Sequence, residues 1–383
     1  MGWIITGMGA VAATGGDVAG FFGALCAGRS AHAPLRGFDP TRYRARNAYE
    51  IDDRPASGDV PLRASRWLER AVAAALRDAG MGERLGDVPV LVGTTLRELR
   101  SVELSWRDGV PFDPADLHFG AVLGRRFGAT RTYTVANACA ASLYALGLGT
   151  DLLELGECDT VVVAGVDTIT ESTYGLLDRC YPEAPDRIRP FDRDRRGMLQ
   201  GEGAAAVVLR RAADGPGPAG RRHATVRGVA VNCDAAHPSA PDAGSIGAAI
   251  REAHERSGVR PADIDLVMLH GTGTPLNDEA EAGALAEVFG TAAGRPHMTA
   301  VKSMTGHTAG ASGLHSLVAG VEAMRTGTVP PTVHLDDPID EVAGFRLVRG
   351  AAAHTTGLSV AQVDSFGFGG LNAVAIVERA VRS

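Results

Sequence analysis

Ala138-Cys139-Ala140-Ala141-Ser142-Leu143 is a stretch that the chain uses twice, the second time as Ala309-Gly310-Ala311-Ser312-Gly313-Leu314. Each copy runs into a helical stretch rich in small residues, and the two stretches end at glycines the same distance on, Gly156 and Gly327. The likeness extends upstream. A helix closing on Arg77-Asp78-Ala79-Gly80 leads to Val90-Leu91-Val92-Gly93-Thr94, and one closing on Glu255-Arg256-Ser257-Gly258 leads to Met268-Leu269-His270-Gly271-Thr272. Repetition at this scale predicts a duplicated α/β unit rather than a solenoid, whose repeats are much shorter. Equivalent loops of such a pair converge on one site.

The rest of the 383 residues agrees. Short runs of valine, isoleucine and leucine alternate with amphipathic or small-residue stretches, the pattern of an α/β fold. Strands are expected at Trp3–Gly7, Val88–Val92, Thr160–Gly165, Ala204–Leu209, Val226–Asn232, Leu266–His270, Phe345–Val348 and Ala373–Val377. Helices are expected at Ser65–Ala79, Ala140–Leu155, Ser245–Ser257, Glu279–Val288 and Gly313–Arg325. The Gly/Pro-rich segment Ala212–Gly220 reads as a linker, dividing the chain into an N-terminal half, 1–215, and a C-terminal half, 216–383.

A net charge of −7 offers no electrostatic basis for nucleic acid or an anionic membrane. No stretch has the length and apolarity of a membrane span, and the first residues lack the basic flank and apolar core of a signal peptide. Five cysteines without a CxxC pair argue against a disulfide framework or zinc knuckle and for a reducing, cytoplasmic setting. Among 38 lysines and arginines, Lys302 is the one lysine. Arginine replaces an exposed ammonium readily, but not a compact three-donor charge in a fitted site, so Lys302 is a candidate for such a site.

Cys139 stands where a strand gives way to a helix, flanked by small residues that permit a sharp turn and close approach of a substrate. The positive end of a helix favours thiolate, so Cys139 is a candidate nucleophile able to form a thioester. His270 opens His270-Gly271-Thr272-Gly273-Thr274, and His307 follows Lys302 in a second glycine-containing loop. Both lie at strand or loop ends, where α/β folds present active sites. No second histidine or thiolate pair accompanies His270, so no metal site is expected. Phe366-Gly367-Phe368-Gly369-Gly370 lacks the spacing of a phosphate loop. It reads as a tight turn that holds an aromatic plug over a pocket and aims N–H groups at an oxyanion.

These blocks, together with Ile5-Thr6-Gly7-Met8-Gly9-Ala10-Val11, Arg189-Pro190-Phe191-Asp192 and Gly201-Glu202-Gly203, resemble the β-ketoacyl-acyl carrier protein synthases of the thiolase superfamily. The resemblance spans nearly the whole chain. It implies a duplicated βαβαβαββ unit in a five-layered αβαβα core. It also implies decarboxylative Claisen condensation of an acyl-cysteine thioester with a malonyl-type carrier thioester, in a bacterial polyketide or other specialised pathway. Cys139 corresponds to the nucleophile, and His270 and His307 to the pair that polarises the extender carbonyl. The N–H groups of Cys139 and Phe368 correspond to the oxyanion hole, with Phe368 also the gate. Thr272 and Thr274 correspond to holders of the phosphopantetheine arm. Lys302, paired with Glu281, would order the site and hold the His307 loop. No cofactor is implied beyond the carrier's phosphopantetheine, and the expected partners are an acyl carrier protein and a second subunit, as homodimer or as heterodimer with a chain-length-factor-like chain.

His307 as the third member favours the elongating Cys-His-His class over thiolases and chalcone-type synthases. Asp364 stands where the family usually has asparagine, and Leu371 where it usually has threonine. The compact, charged stretch 94–118 replaces longer apolar structure that lies at the dimer interface of related enzymes. Two other readings of the same residues are an acyltransferase or cyclase that closes a bond within one tethered substrate, and a structural partner of another ketosynthase.

Overall fold

The computed structural model describes residues 2–56, 58–211 and 220–380. The expected linker, Gly220 aside, and the boundary between the halves at 215 and 216 lie outside the described residues. In chain order the strands of the main sheet are β1 (Trp3–Ala12), β2 (Val90–Gly93), β3 (Thr132–Val135), β4 (Thr160–Asp167), β5 (Gly203–Arg211) and β6 (Ala224–Cys233). They continue as β7 (Leu266–Met268), β8 (His297–Thr299), β9 (Arg346–Leu347), β10 (Val360–Gly367) and β11 (Leu371–Arg379).

Their order across the sheet is β9-β8-β7-β10-β11-β6-β1-β5-β4-β2-β3. Outward from its centre, the first half runs β1-β5-β4-β2-β3 and the second runs β6-β11-β10-β7-β8, with the short β9 added at the edge. Each half therefore places its first, last and next-to-last long strands antiparallel, then two parallel strands in the same sequence. That is the duplication read from the sequence, now in topology. The halves join through three residue pairs, Trp3–Ile5 against Ala224–Val226.

Helices sort into three further layers. Arg63–Asp78 and Phe119–Phe127 cover the outer face of the first half-sheet, where Trp67, Leu68 and Phe127 form one apolar core with Val162, Val166 and Val208. Ala243–Ser257 and Pro275–Phe289 cover the second, around Ile246, Ile250, Leu285 and Val374. Between the half-sheets lie Ala141–Glu154 and Ser312–Thr326, the two repeat helices, in a core shared by both sheets. Every residue from Ser312 to Met324 is buried, as a helix enclosed on all sides requires. The small residues of the repeat make this possible: a Cβ on Gly313 would stand 2.7 Å from Leu143 Cγ. The result is the αβαβα sandwich.

Strand β10 was not expected, because Gln362 and Asp364 interrupt its apolar run; both are buried, and their hydrogen bonds are internal. The helices Val18–Cys26, Leu99–Asp108, Phe119–Phe127 and Glu171–Cys180 and the short strand β8 were also not foreseen. Leu99–Asp108 lies within the charged stretch 94–118. Arg100 is buried between Asp59 (2.8 Å) and Glu103 (2.9 Å), and Glu98 accepts the Ser65 N–H at 2.6 Å. Trp106 on the same helix is 89% exposed.

Candidate active site

The repeat turns are built alike. Ala138 has φ 47° and Ala309 φ 46°. This left-handed conformation costs a non-glycine residue about 1–2 kcal/mol, and the duplication has kept it in both halves. In the first half the kink ends β3's extension and places Cys139 at the start of the central helix. The Cys139 carbonyl is fixed by Ser365 Oγ at 2.8 Å and Ser312 Oγ at 3.3 Å, both from the second half. In the second half Gly310 occupies the equivalent place, and its N–H donates to Asp167 at 2.6 Å. Asp167 also accepts from Thr94 Oγ1 and from the N–H groups of Thr95 and Leu96, tying the loop after β2 to the opposite elbow. Four donors around one buried carboxyl make it a fixed joint between the halves.

Cys139, His270, His307, Thr272, Thr274 and Phe368 all border one cleft. The phenylalanine loop reaches the nucleophile because Gly367 has no side chain; a Cβ there would stand 3.1 Å from Cys139 N and 3.2 Å from Ala138 Cβ. The backbone N–H groups of Phe368 and Cys139 both bear on the thiol. Phe368 itself is 41% exposed at the mouth. The expected dipole-favoured thiolate is overturned for the unloaded protein. Burial pushes the Cys139 thiol up to about 11, and the Lys302 charge and the two N–H groups only partly oppose it. A neutral thioester suits this environment better than a free thiolate does.

The two imidazoles stand edge to face, 5.5 Å between ring centres. His307 Nδ1 accepts the Ala309 N–H at 3.1 Å, which leaves its ring proton on Nε2. That Nε2 is buried without a hydrogen-bond partner. His270 Nδ1 lies 3.2 Å from Lys302 Nζ, an obligatory donor, so its proton too belongs on Nε2. Burial, and then the Lys302 charge, holds both rings well below the usual histidine range. They are neutral donors turned toward one cleft.

Lys302 and Glu281 act on each other through charge, as expected of a pair, but without direct contact. Among the described residues Lys302 makes no ion pair with Glu281 within 4.0 Å; its ammonium donates to the His270 carbonyl at 2.6 Å and approaches the ring. Glu281 instead accepts the N–H groups of His270 (2.6 Å) and Gly271 (2.9 Å) and the Asn277 amide. Both groups therefore hold His270, one from the ring side and one from the backbone. The His307 loop is held elsewhere: its N–H donates to Leu199 O and its carbonyl accepts Gly201 N–H, each at 2.9 Å. Thr272 and Thr274 hydroxyls are 2.9 Å apart in the cleft wall.

Met198, Ser365, Asn277 and Asp167 were not singled out in advance. The signal available for Asp167 was its place at the end of a buried strand; for Met198 there was none. No residue of 94–118 lines this cleft. Among the described residues no group of three or more His, Cys, Asp or Glu could hold a metal ion.

Residues 4–215 match the family described as β-ketoacyl synthase, N-terminal domain, and 223–336 match its C-terminal domain. The chain is 31% identical to the tetracenomycin polyketide synthase ketoacyl synthase alpha subunit of Streptomyces glaucescens, covering 98% of this chain and 96% of that one. It is 30% identical to 3-oxoacyl-acyl-carrier-protein synthase 2 of a Synechocystis species, covering 96% of both. Among solved structures, the ishigamide ketosynthase/chain length factor superposes with a TM-score of 0.90 at 32% identity over 99% of each chain.

Proposed function

The chain belongs to the β-ketoacyl synthase family, and from that premise we propose that it condenses an acyl group held on Cys139 with a malonyl-type acyl-carrier thioester. The observation that carries this reading is the pair of neutral imidazoles, each with Nδ1 engaged as an acceptor, beside a buried thiol at a strained elbow.

In the first step the Cys139 sulfur attacks the acyl thioester carbonyl. The carrier's phosphopantetheine sulfur leaves and takes up the proton that Cys139 gives away, so no free thiolate need persist at neutral pH. In the second step the extender thioester enters along Thr272 and Thr274. The Nε2–H groups of His270 and His307 donate to its carbonyl oxygen, the carboxylate departs as carbon dioxide, and the bonding pair it leaves becomes an enolate. Neutral donors suit this step, since an acidic imidazolium would quench the carbanion by protonation. The enolate carbon attacks the acyl carbonyl on Cys139. The oxyanion takes the N–H groups of Cys139 and Phe368, and collapse breaks the carbon–sulfur bond, releasing the β-ketoacyl chain on its carrier and Cys139 as a thiolate that takes a proton from water. Lys302 and Glu281 keep His270 in register, and Phe368 gates the mouth.

We read residues 1–215 and 216–383 as the two halves of the duplicated unit, the first carrying Cys139 and the second both histidines and Phe368. An acyl carrier protein delivers both substrates, with no dissociable cofactor. The functional unit is a homodimer or a heterodimer with a chain-length-factor-like subunit. No described helix is long and apolar enough to cross a membrane, which accords with work in the cytoplasm. The test is the intact mass of wild type and Cys139→Ala after incubation with acyl-carrier thioesters. Wild type should gain the acyl mass and the variant should not; equal labelling of the two would overturn the reading.

A further inference from the structure

Glu202, at the centre of Gly201-Glu202-Gly203, takes no part in the chemistry at Cys139, yet it is wholly buried. Its Oε1 accepts from Arg63 Nη1 (2.9 Å), Arg54 Nη2 (3.1 Å) and Thr168 Oγ1 (2.9 Å). Its Oε2 accepts from Arg63 Nη2 and the Ile51 N–H, both at 3.0 Å. Arg63 opens the first outer helix and is buried too, its guanidinium carbon 4.5 Å from the centre of the Trp67 ring.

The backbone beside this carboxylate carries His307. Residues 199–202 pair in parallel with Tyr49 on one side and with His307 on the other. On the first side the Tyr49 N–H donates to Gln200 O at 3.0 Å, and the Glu202 N–H to Tyr49 O at 3.1 Å. On the second lie the two His307 bonds, through Leu199 O and the Gly201 N–H. The fit leaves no slack: a Cβ on Gly201 would run into the Thr305 carbonyl, and one on Gly306 would stand 2.6 Å from Tyr49 Cβ. The buried Tyr49 hydroxyl points to Ser303 O at 3.4 Å and accepts the Ile188 N–H at 3.0 Å. The turn from Lys302 to His307 is thus seated on Tyr49 and on 199–202, and Glu202 pins that seat.

A buried ion pair adds little net stability, because removing both charges from water offsets their attraction. What it supplies is a fixed place. Resting on the condensation reading above, we propose that Glu202 is a positioning residue for His307. Clamped by Arg63 and Arg54, it holds 199–202, and Tyr49 with it, at the depth that aims the His307 Nε2–H into the cleft. The first half of the chain thereby places a histidine that belongs to the second.

The test sets two rates of the full chain side by side. One is single-turnover acylation of Cys139 by hexanoyl-carrier thioester, read by intact mass; the other is condensation of the loaded enzyme with malonyl-carrier thioester. As proposed, acylation draws on neither imidazole and condensation on both. Glu202→Gln keeps the shape of the side chain and removes the charge that gathers the two guanidiniums. It should lower the condensation kcat by roughly tenfold to a hundredfold, the loss that a misplacement of about 1 Å brings. The KM for malonyl-carrier and the acylation rate should stay nearly unchanged, whereas a general loss of folded enzyme would lower both rates together. Should Glu202→Gln fail to fold, Tyr49→Phe, which deletes one hydroxyl behind the same turn, decides by the same comparison. Condensation at the wild-type rate, or acylation and condensation falling together, overturns the proposal while leaving the condensation reading intact. Wild type that neither loads nor condenses overturns that reading and this inference with it.

Discussion

Lys302 Nζ reaches His270 at two atoms, the backbone oxygen at 2.6 Å and ring Nδ1 at 3.2 Å. One ammonium thus fixes both the backbone and the tautomer of the same histidine. Guanidinium, planar and larger, cannot place a single nitrogen on both atoms in so closed a space. The one lysine of the chain therefore has a stereochemical reason to be lysine.

Replacing Lys302 by Arg or Met should slow condensation by about thirtyfold or more, the equivalent of one charged hydrogen bond of about 2 kcal/mol. In the Arg variant, which keeps the charge that opposes the upward push on the Cys139 thiol, acylation of Cys139 should change far less. Single-turnover loading followed by mass spectrometry, set beside steady-state condensation, separates the two. Wild-type condensation in Lys302→Arg would return Lys302 to accident.

The pH profile follows from the same contact. Burial lowers Lys302 from 10.5 to about 8. The donor is therefore present below that value and lost as pH rises through it. Condensation by loaded enzyme should fall above about pH 8, and Lys302→Met should lack this limb. His270 and His307 are held well below 6.5 by burial and then by the Lys302 charge, so no acid limb should appear near 6.5. A limb there would mean that a histidine titrates in the ordinary range.

Gly367→Ala would place a Cβ 3.1 Å from Cys139 N. The loop must withdraw and take the Phe368 N–H with it. Removing one oxyanion donor costs about a hundredfold or more in rate, and the thermal midpoint should hardly move, because the loop lies at the cleft mouth. Condensation by this variant within threefold of wild type would place the oxyanion elsewhere.

Asp364 is buried, and burial followed by the nearby Glu281 charge raises its carboxyl well above the ordinary range. A neutral acid has nearly the shape of the asparagine amide, and it accepts the Gln362 Nε2 hydrogens at 2.9 and 3.1 Å. Asp364→Asn should leave stability within about 0.5 kcal/mol. Asp364→Ala, which strands the Gln362 donor, should cost about 1–3 kcal/mol by chemical denaturation. Equal losses in the two variants would show that the charge itself is required.

The duplication was legible because Ala138–Leu143 and Ala309–Leu314 repeat both their small residues and the constraint that needs them, a kinked elbow opening a helix packed between the two half-sheets. The site residues were legible because His270, His307 and Phe368 sit in glycine-containing loops and Cys139 follows a strand among small residues. What they touch was harder to read. Lys302 and Glu281 act on each other through charge without touching, because both converge on His270 from opposite sides, a relation between elements that spacing does not encode. The thiolate expectation failed because a helix terminus was weighed without the burial that outweighs it. Strand β10 escaped because Gln362 and Asp364 look like a polar break until His254, whose ring lies 2.7 Å from Gln362 Oε1, and each other are seen to satisfy them.

The most direct test of the account follows carbon dioxide and product together, using enzyme preloaded with an acyl group and then given malonyl-carrier thioester. Wild type should release carbon dioxide and β-ketoacyl-carrier in equal amounts within one turnover, and Cys139→Ala should form no β-ketoacyl-carrier. A product closed within the tethered chain without carbon dioxide, or condensation undiminished in Cys139→Ala, would contradict it.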